Sequence, residues 1–175
     1  MEKRSVAYAL FGVAFLLYVW GYLAFDLTFF ALTTVVAGFA CLAAIRWPRI
    51  GLWVVAAMCM AWAIGFYPAG ISLISTIMAG VLAAGFVLLT LGISWSRPIL
   101  ELVGVSLAIV AHLWYVTDNA ILSWTPGFAI GNMLFVIGGG LLAWSIWSSM
   151  NAAAPVVTPS APAKRPAANR ARKQT

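Results

Sequence analysis

Among the apolar runs of this chain, the side chains able to handle protons, metals or nucleophilic chemistry are Glu101, His112 and Asn132, with Asp26, Asp118, Cys41 and Cys59 nearby in type. A buried ionisable or amide group is expensive unpaired, so each of the first three marks a candidate intramembrane polar site. Glu101 stands four residues after Arg97, a helical spacing that lets the two pair, and a carboxylate is favoured near a helix N-terminus. The expectation is an Arg97–Glu101 ion pair at the interface, and the sharper alternative is a proton or cation site. His112 lies eleven residues beyond Glu101. That separation is about 20° around a helix but about 16 Å along it, so the two share a face without forming a dyad. His112 is expected to meet Asn132 at similar depth on the next antiparallel helix and to hydrogen-bond it. A proton-sensing or ligand-contacting histidine is the alternative.

Other chemistries lack their parts. One histidine and two separated cysteines do not make a tetrahedral zinc site, and a single histidine leaves haem without its usual second ligand. Ser106 and His112 point about 120° apart on one helix, which removes a serine–base pair. Cys41 and Cys59 belong to no CxxC or secreted framework and read as reduced, structural residues. The chain is therefore expected to be no enzyme, with no catalytic, cofactor-binding or metal residues and no cofactor.

The elements that must hold these residues follow from composition. The chain has 175 residues, 64% hydrophobic and 8% charged, where soluble domains carry roughly a quarter charged. From Ser5 to Ile45 the only charge is Asp26. A single helix of that length would be about 60 Å, twice the hydrocarbon core, so the chain must turn near Asp26. This predicts helices over Val6–Leu23 and Thr28–Ile45. The block Ile50–Ile93 is again two spans long, with a turn at Gly65–Gly70, and Pro98–Tyr115 and Gly127–Trp147 complete about six spans. The first apolar run continues past Leu23, too long for a signal-peptide core, which predicts a retained first helix. The fold class predicted is all-α integral membrane: a bundle over residues 1–150, followed by a disordered Ala/Pro-rich basic tail over 151–175.

Lys3, Arg4, Arg46, Arg49, Arg97, Lys164, Arg165, Arg170, Arg172 and Lys173 are all ten basic residues, and six alternating spans put every one on the same side. The positive-inside rule then predicts a multi-pass protein of a bacterial-type plasma or inner membrane with both termini cytoplasmic. Tryptophans near both predicted membrane boundaries agree. Ile45-Arg46-Trp47-Pro48-Arg49 and Ile93-Ser94-Trp95-Ser96-Arg97 share an Ile-x-Trp-x-Arg pattern 48 residues apart, which raises the prospect of three similar antiparallel hairpins. With Gly65-Phe66-Tyr67-Pro68-Ala69-Gly70-Ile71-Ser72-Leu73 as the turn, the pattern resembles the HdeD-like acid-resistance membrane proteins over the helical region. That resemblance implies six spans built from repeated hairpins and a stress-related role.

Small residues supply the remaining signal. Gly127, Gly131 and Gly138 fall within about 40° on helix 6, and Ser72, Ser75, Thr76 and Gly80 mark a stripe on helix 4. Both stripes predict close helix packing, inside the bundle or against a second copy or membrane-protein partner. The tail lacks aromatic residues to stack on bases, so nucleic acid is not expected, and anionic lipid is its nearer target. The function expected is a non-enzymatic accessory or structural subunit, or a stress-related bundle. The alternative is a transporter or channel for protons, small ions or small neutral solutes.

Overall fold

The structure, a computed structural model, describes residues 2–118 and 126–152. Among them the chain forms six α-helices: α1 (Lys3–Ala24), α2 (Thr28–Ala44), α3 (Pro48–Gly65), α4 (Leu73–Trp95), α5 (Pro98–Asp118) and α6 (Pro126–Ala152). The expected all-helical bundle is what the sequence builds. The expected tail and the Ala120–Trp124 connection lie outside the described residues.

Helix boundaries follow local chemistry. Pro48, Pro98 and Pro126 each open a helix, where the missing N–H costs nothing. α4 ends because Ser96 adopts a left-handed conformation (φ 53°), and the Arg97 N–H returns to the Gly92 carbonyl at 2.8 Å. Asp26 (φ 57°) makes the equivalent turn after α1. α6 runs past the expected end at Trp147 to Ala152, with the Ser149 hydroxyl donating to the Ile146 carbonyl at 2.7 Å and Met150 packed on the core.

Five of the helices are long and apolar enough to cross a hydrocarbon core. α2, at 17 residues, is the shorter one, at the lower end of the usual range. Each helix packs on its neighbours in chain order, and α6 packs on α1, so the six form a closed ring. Consecutive helices alternate in direction. Both ends of the described chain, with the α2–α3 and α4–α5 turns, therefore lie at one end of the ring, the terminal end; the α1–α2 and α3–α4 turns lie at the distal end.

Aromatic side chains fill the axis. Phe135 of α6 stacks on Phe11 of α1 at 4.3 Å between ring centres and meets Phe15 and Phe86 edge-on at 5.6 and 6.1 Å. Phe86 belongs to α4, which packs on neither α1 nor α6. Its contacts with Phe11 and Phe135 are made across the ring interior, and all four rings are buried to 1% exposure or less.

Close backbone approach holds the ring together at several seams; at α2–α3, for example, a Cβ on Gly51 would sit 2.4 Å from the Ala40 carbonyl. At α4–α5 a Cβ on Gly104 would sit 2.5 Å from the Gly85 carbonyl, and one on Gly85 would sit 2.7 Å from the Gly104 carbonyl. At α6–α1, Gly127, Gly131 and Gly138 lie against Leu17, Tyr18 and Phe11. The α6 stripe thus selects α1 as its neighbour, and α5 is met by the adjacent Gly139, against Ile109. On α4, Ser75 is buried, Gly80 is no nearer than 4.0 Å to Ala63, and Thr76 donates to the Ser72 carbonyl. Ser72 itself lies outside the packed stripe: it is exposed and caps α4, accepting from the Ser75 N–H at 3.1 Å.

Candidate functional site

Tyr18 of α1, His112 of α5 and Asn132 of α6 each stand six residues from the distal end of their helix, about 9 Å along the axis. α6 lies between α1 and α5 in the ring, so these side chains converge in its interior. With Tyr22, Tyr115 and Phe128 they line a cavity of about 20 Å³, room for about one water molecule.

Each polar group has a defined task. The Tyr18 hydroxyl donates to Asn132 Oδ1 at 2.8 Å, tying α1 to α6. The Tyr115 hydroxyl donates to the Ser75 carbonyl at 2.8 Å, tying α5 to α4. His112 Nδ1 lies 2.8 Å from the Ala108 carbonyl one turn back on its own helix. That contact places the proton on Nδ1 and leaves Nε2 as the acceptor in the neutral ring. The imidazole lies flat on Phe135, 3.4 Å between centres and 7° from parallel. Tyr18 is nearly parallel to it at 6.2 Å. The arrangement is an enclosed cluster of phenols, imidazole and carboxamide, suited to hydrogen-bonding a small neutral molecule.

His112 and Asn132 therefore share a cavity, but no hydrogen bond joins them. Asn132 follows Gly131, which seats α6 on Tyr18 and Ala14, so the carboxamide turns toward α1 instead of α5. The histidine uses its donor on its own backbone.

Glu101 is at the terminal end, beyond the four axial phenylalanines, and belongs to a different feature. Its carboxylate pairs with Arg4 of α1, Nη1 to Oε2 3.0 Å. The expected partner Arg97 is the exposed residue before α5; its carbonyl accepts the Glu101 N–H at 3.3 Å, but the Glu101 carboxylate is taken by Arg4. Glu101 backs onto Gly92 of α4, whose Cβ would lie 2.7 Å from Glu101 Cγ. The Arg4–Glu101 pair thus spans the ring between two helices that do not pack on each other. The three candidate residues form two sites at opposite ends, separated by aromatic packing.

Sequence reasoning centred on ionisable and amide groups misses the tyrosines. Tyr18 and Tyr22 are one helical turn apart on α1, and a phenol inside an apolar span needs a partner, which is the signal that identifies them. The same logic applies to Trp62, whose indole N–H donates to the Thr33 hydroxyl at 2.7 Å between α3 and α2.

The Tyr18–Asn132 bond invites a direct test. Tyr18→Phe and Asn132→Leu are each expected to cost roughly 0.6 to 1.7 kcal/mol in detergent unfolding. Their double variant should cost less than the sum. The His112→Ala and Asn132→Leu pair should be closer to additive. Coupling that is larger between His112 and Asn132 than between Tyr18 and Asn132 would make the histidine, and not the phenol, the partner of the carboxamide.

No protein-family model, curated protein or solved structure matches the chain. The likeness to HdeD-like proteins stays one of hairpin pattern and assigns no family.

Proposed function

We propose that this chain is a non-enzymatic multi-pass membrane protein, an accessory or structural bundle that works by presenting its outer faces to lipid and to a membrane partner. The observation that carries this reading is the filled axis. Phe11, Phe15, Phe86 and Phe135 close the centre of the ring between its two polar ends. A permeation route needs continuous polar or water-filled lining. Here Tyr18–Asn132, Tyr115–Ser75 and Arg4–Glu101 are satisfied pairwise. α2 completes the ring as the sixth span, and the positive-inside rule makes the terminal end cytoplasmic, since Lys3, Arg4, Arg46, Arg49 and Arg97 gather there.

Transport of protons or small neutral solutes is the second reading, favoured by the distal cavity. The two are separated by purifying the chain in mild detergent with its co-purifying proteins, then measuring proton and solute flux in liposomes. The proposal expects a stoichiometric membrane partner and flux equal to that of empty liposomes. Flux that is lost in His112→Ala while the melting temperature is unchanged would establish transport instead. In intact cells, a membrane-impermeant thiol reagent should label Asp26→Cys from outside and leave Ser96→Cys untouched; the opposite labelling would invert the orientation.

A further inference from the structure

The α2–α3 turn, Arg46-Trp47-Pro48-Arg49-Ile50, folds around an open concavity of about 290 Å³. Its two arginines are exposed, as are Trp47 (61%) and Ile50 (69%). The terminal end carries Lys3, Arg4, Arg46, Arg49 and Arg97 against two carboxylates, Glu2 and Glu101, and Glu101 is taken by Arg4. Positive charge at the turn is thus left for an external anion.

What selects the kind of anion is the surface leading away from the turn. Ile50, Trp53, Ala57, Met60 and Ile64 are exposed at three- and four-residue intervals, a continuous apolar stripe along α3. From Ile50 to Ile64 it runs about 21 Å, longer than the roughly 15 Å of one leaflet's hydrocarbon. On α2 the exposed stripe Phe29, Leu32, Val36 and Phe39 runs toward the same turn, and Arg46 follows two residues after the end of α2. Two apolar tracks therefore end at two guanidinium groups, the order of charge and hydrocarbon in an anionic phospholipid. Arginine matches a phosphodiester through paired N–H donors, and Trp47 suits the headgroup boundary.

We infer that the α2–α3 turn is a binding site for an anionic glycerophospholipid, with Arg46 and Arg49 on the phosphate and an acyl chain along the α3 stripe.

The test uses the full-length protein in mild detergent, with phosphatidylglycerol and phosphatidylcholine titrated in turn, read by lipid retention in native mass spectrometry and by melting temperature. Phosphatidylglycerol should be retained preferentially and raise the melting temperature. In Arg46→Gln/Arg49→Gln its binding should weaken about 30-fold, the factor that about 1 kcal/mol per basic residue gives for two of them. Arg97→Gln should bind as the parent does, and a full-length variant with the five tail lysines and arginines changed to glutamine should lose clearly less than the double variant. If the double variant folds poorly, Arg46→Lys/Arg49→Lys keeps the charge and should bind within a few-fold of the parent. Ile50→Asn should weaken lipid binding with both arginines in place. Unchanged retention in the double glutamine variant, or an equal loss from Arg97→Gln or from the tail variant, would overturn a defined site. Protection by inorganic phosphate equal to that by the lipid would make it an anion site alone and also overturn the proposal.

Discussion

Gly104→Ala is expected to be among the most damaging single-methyl changes in the bundle, lowering unfolding stability by about 3 kcal/mol, the upper part of the range for overpacking. The added carbon would lie 2.5 Å from the Gly85 carbonyl oxygen and 2.5 Å from the Leu89 nitrogen. These are backbone atoms of α4, so no rotamer change relieves the overlap and α4 and α5 must part. Parting them also strains the Tyr115–Ser75 bond and the Glu101–Gly92 contact between the same two helices. Once the seam is open, Gly85→Ala should add little, so the double variant should cost clearly less than the sum of the singles. By contrast, Gly140→Ala meets nothing within 4 Å, and replacing glycine by alanine in a helix interior should stabilise slightly. Detergent denaturation of the four variants measures all of this. Equal tolerance at Gly104 and Gly140 would contradict the close α4–α5 seam.

Arg4→Ala should cost about 3 kcal/mol, because it strands the carboxylate of Glu101 inside the bundle. Breaking a buried ion pair by removing one partner falls at about 3 to 5 kcal/mol. The lower figure applies because the Arg4 side chain is 33% exposed while that of Glu101 is 7% exposed, and water screens the outer half of the pair. Removing both charges as Arg4→Leu/Glu101→Leu should restore most of the loss, since two apolar groups leave no orphan. Arg97→Ala decides between the pairing read from spacing and the one the fold makes. With its side chain exposed outside α5, it should change stability by no more than about 0.5 kcal/mol. A loss at Arg97 equal to that at Arg4 would return Glu101 to its sequence neighbour.

The contrast between these two arginines shows what can be read from the chain in advance. Helices and turns are legible because water and hydrocarbon sort residues along one dimension: Asp26, Arg46–Arg49, Gly65–Gly70 and Ser96–Pro98 interrupt the apolar runs where the helices break. Partnership is not legible, because it depends on rotation about each helix axis. Arg97 and Glu101 do meet through the backbone, Glu101 N–H to Arg97 carbonyl, yet the exposed Arg97 side chain leaves the carboxylate to Arg4 on another helix. Hairpin geometry puts Asn132 and His112 at matching depth, and both do line one cavity. The carboxamide's partner is decided by α6 closing against α1, a contact between residues more than a hundred positions apart. Glycine spacing announces a close neighbour for α6 and carries no information about which one.

The α1–α6 seam also orders the assembly of the ring in time. Four of the six helix contacts join helices that precede α6 and can form as the chain is made, whereas the α5–α6 and α1–α6 contacts wait for the last helix. Without α6 the remaining contacts would leave the ring open between α5 and α1, beside Phe11, Phe15 and Phe86. α6 brings the glycine stripe and Phe135 together, so one helix both closes the wall and fills the centre. The α1–α6 contact is the one of highest sequence separation in the ring, and chains halted before Pro126 are expected to expose aromatic surface to mispairing.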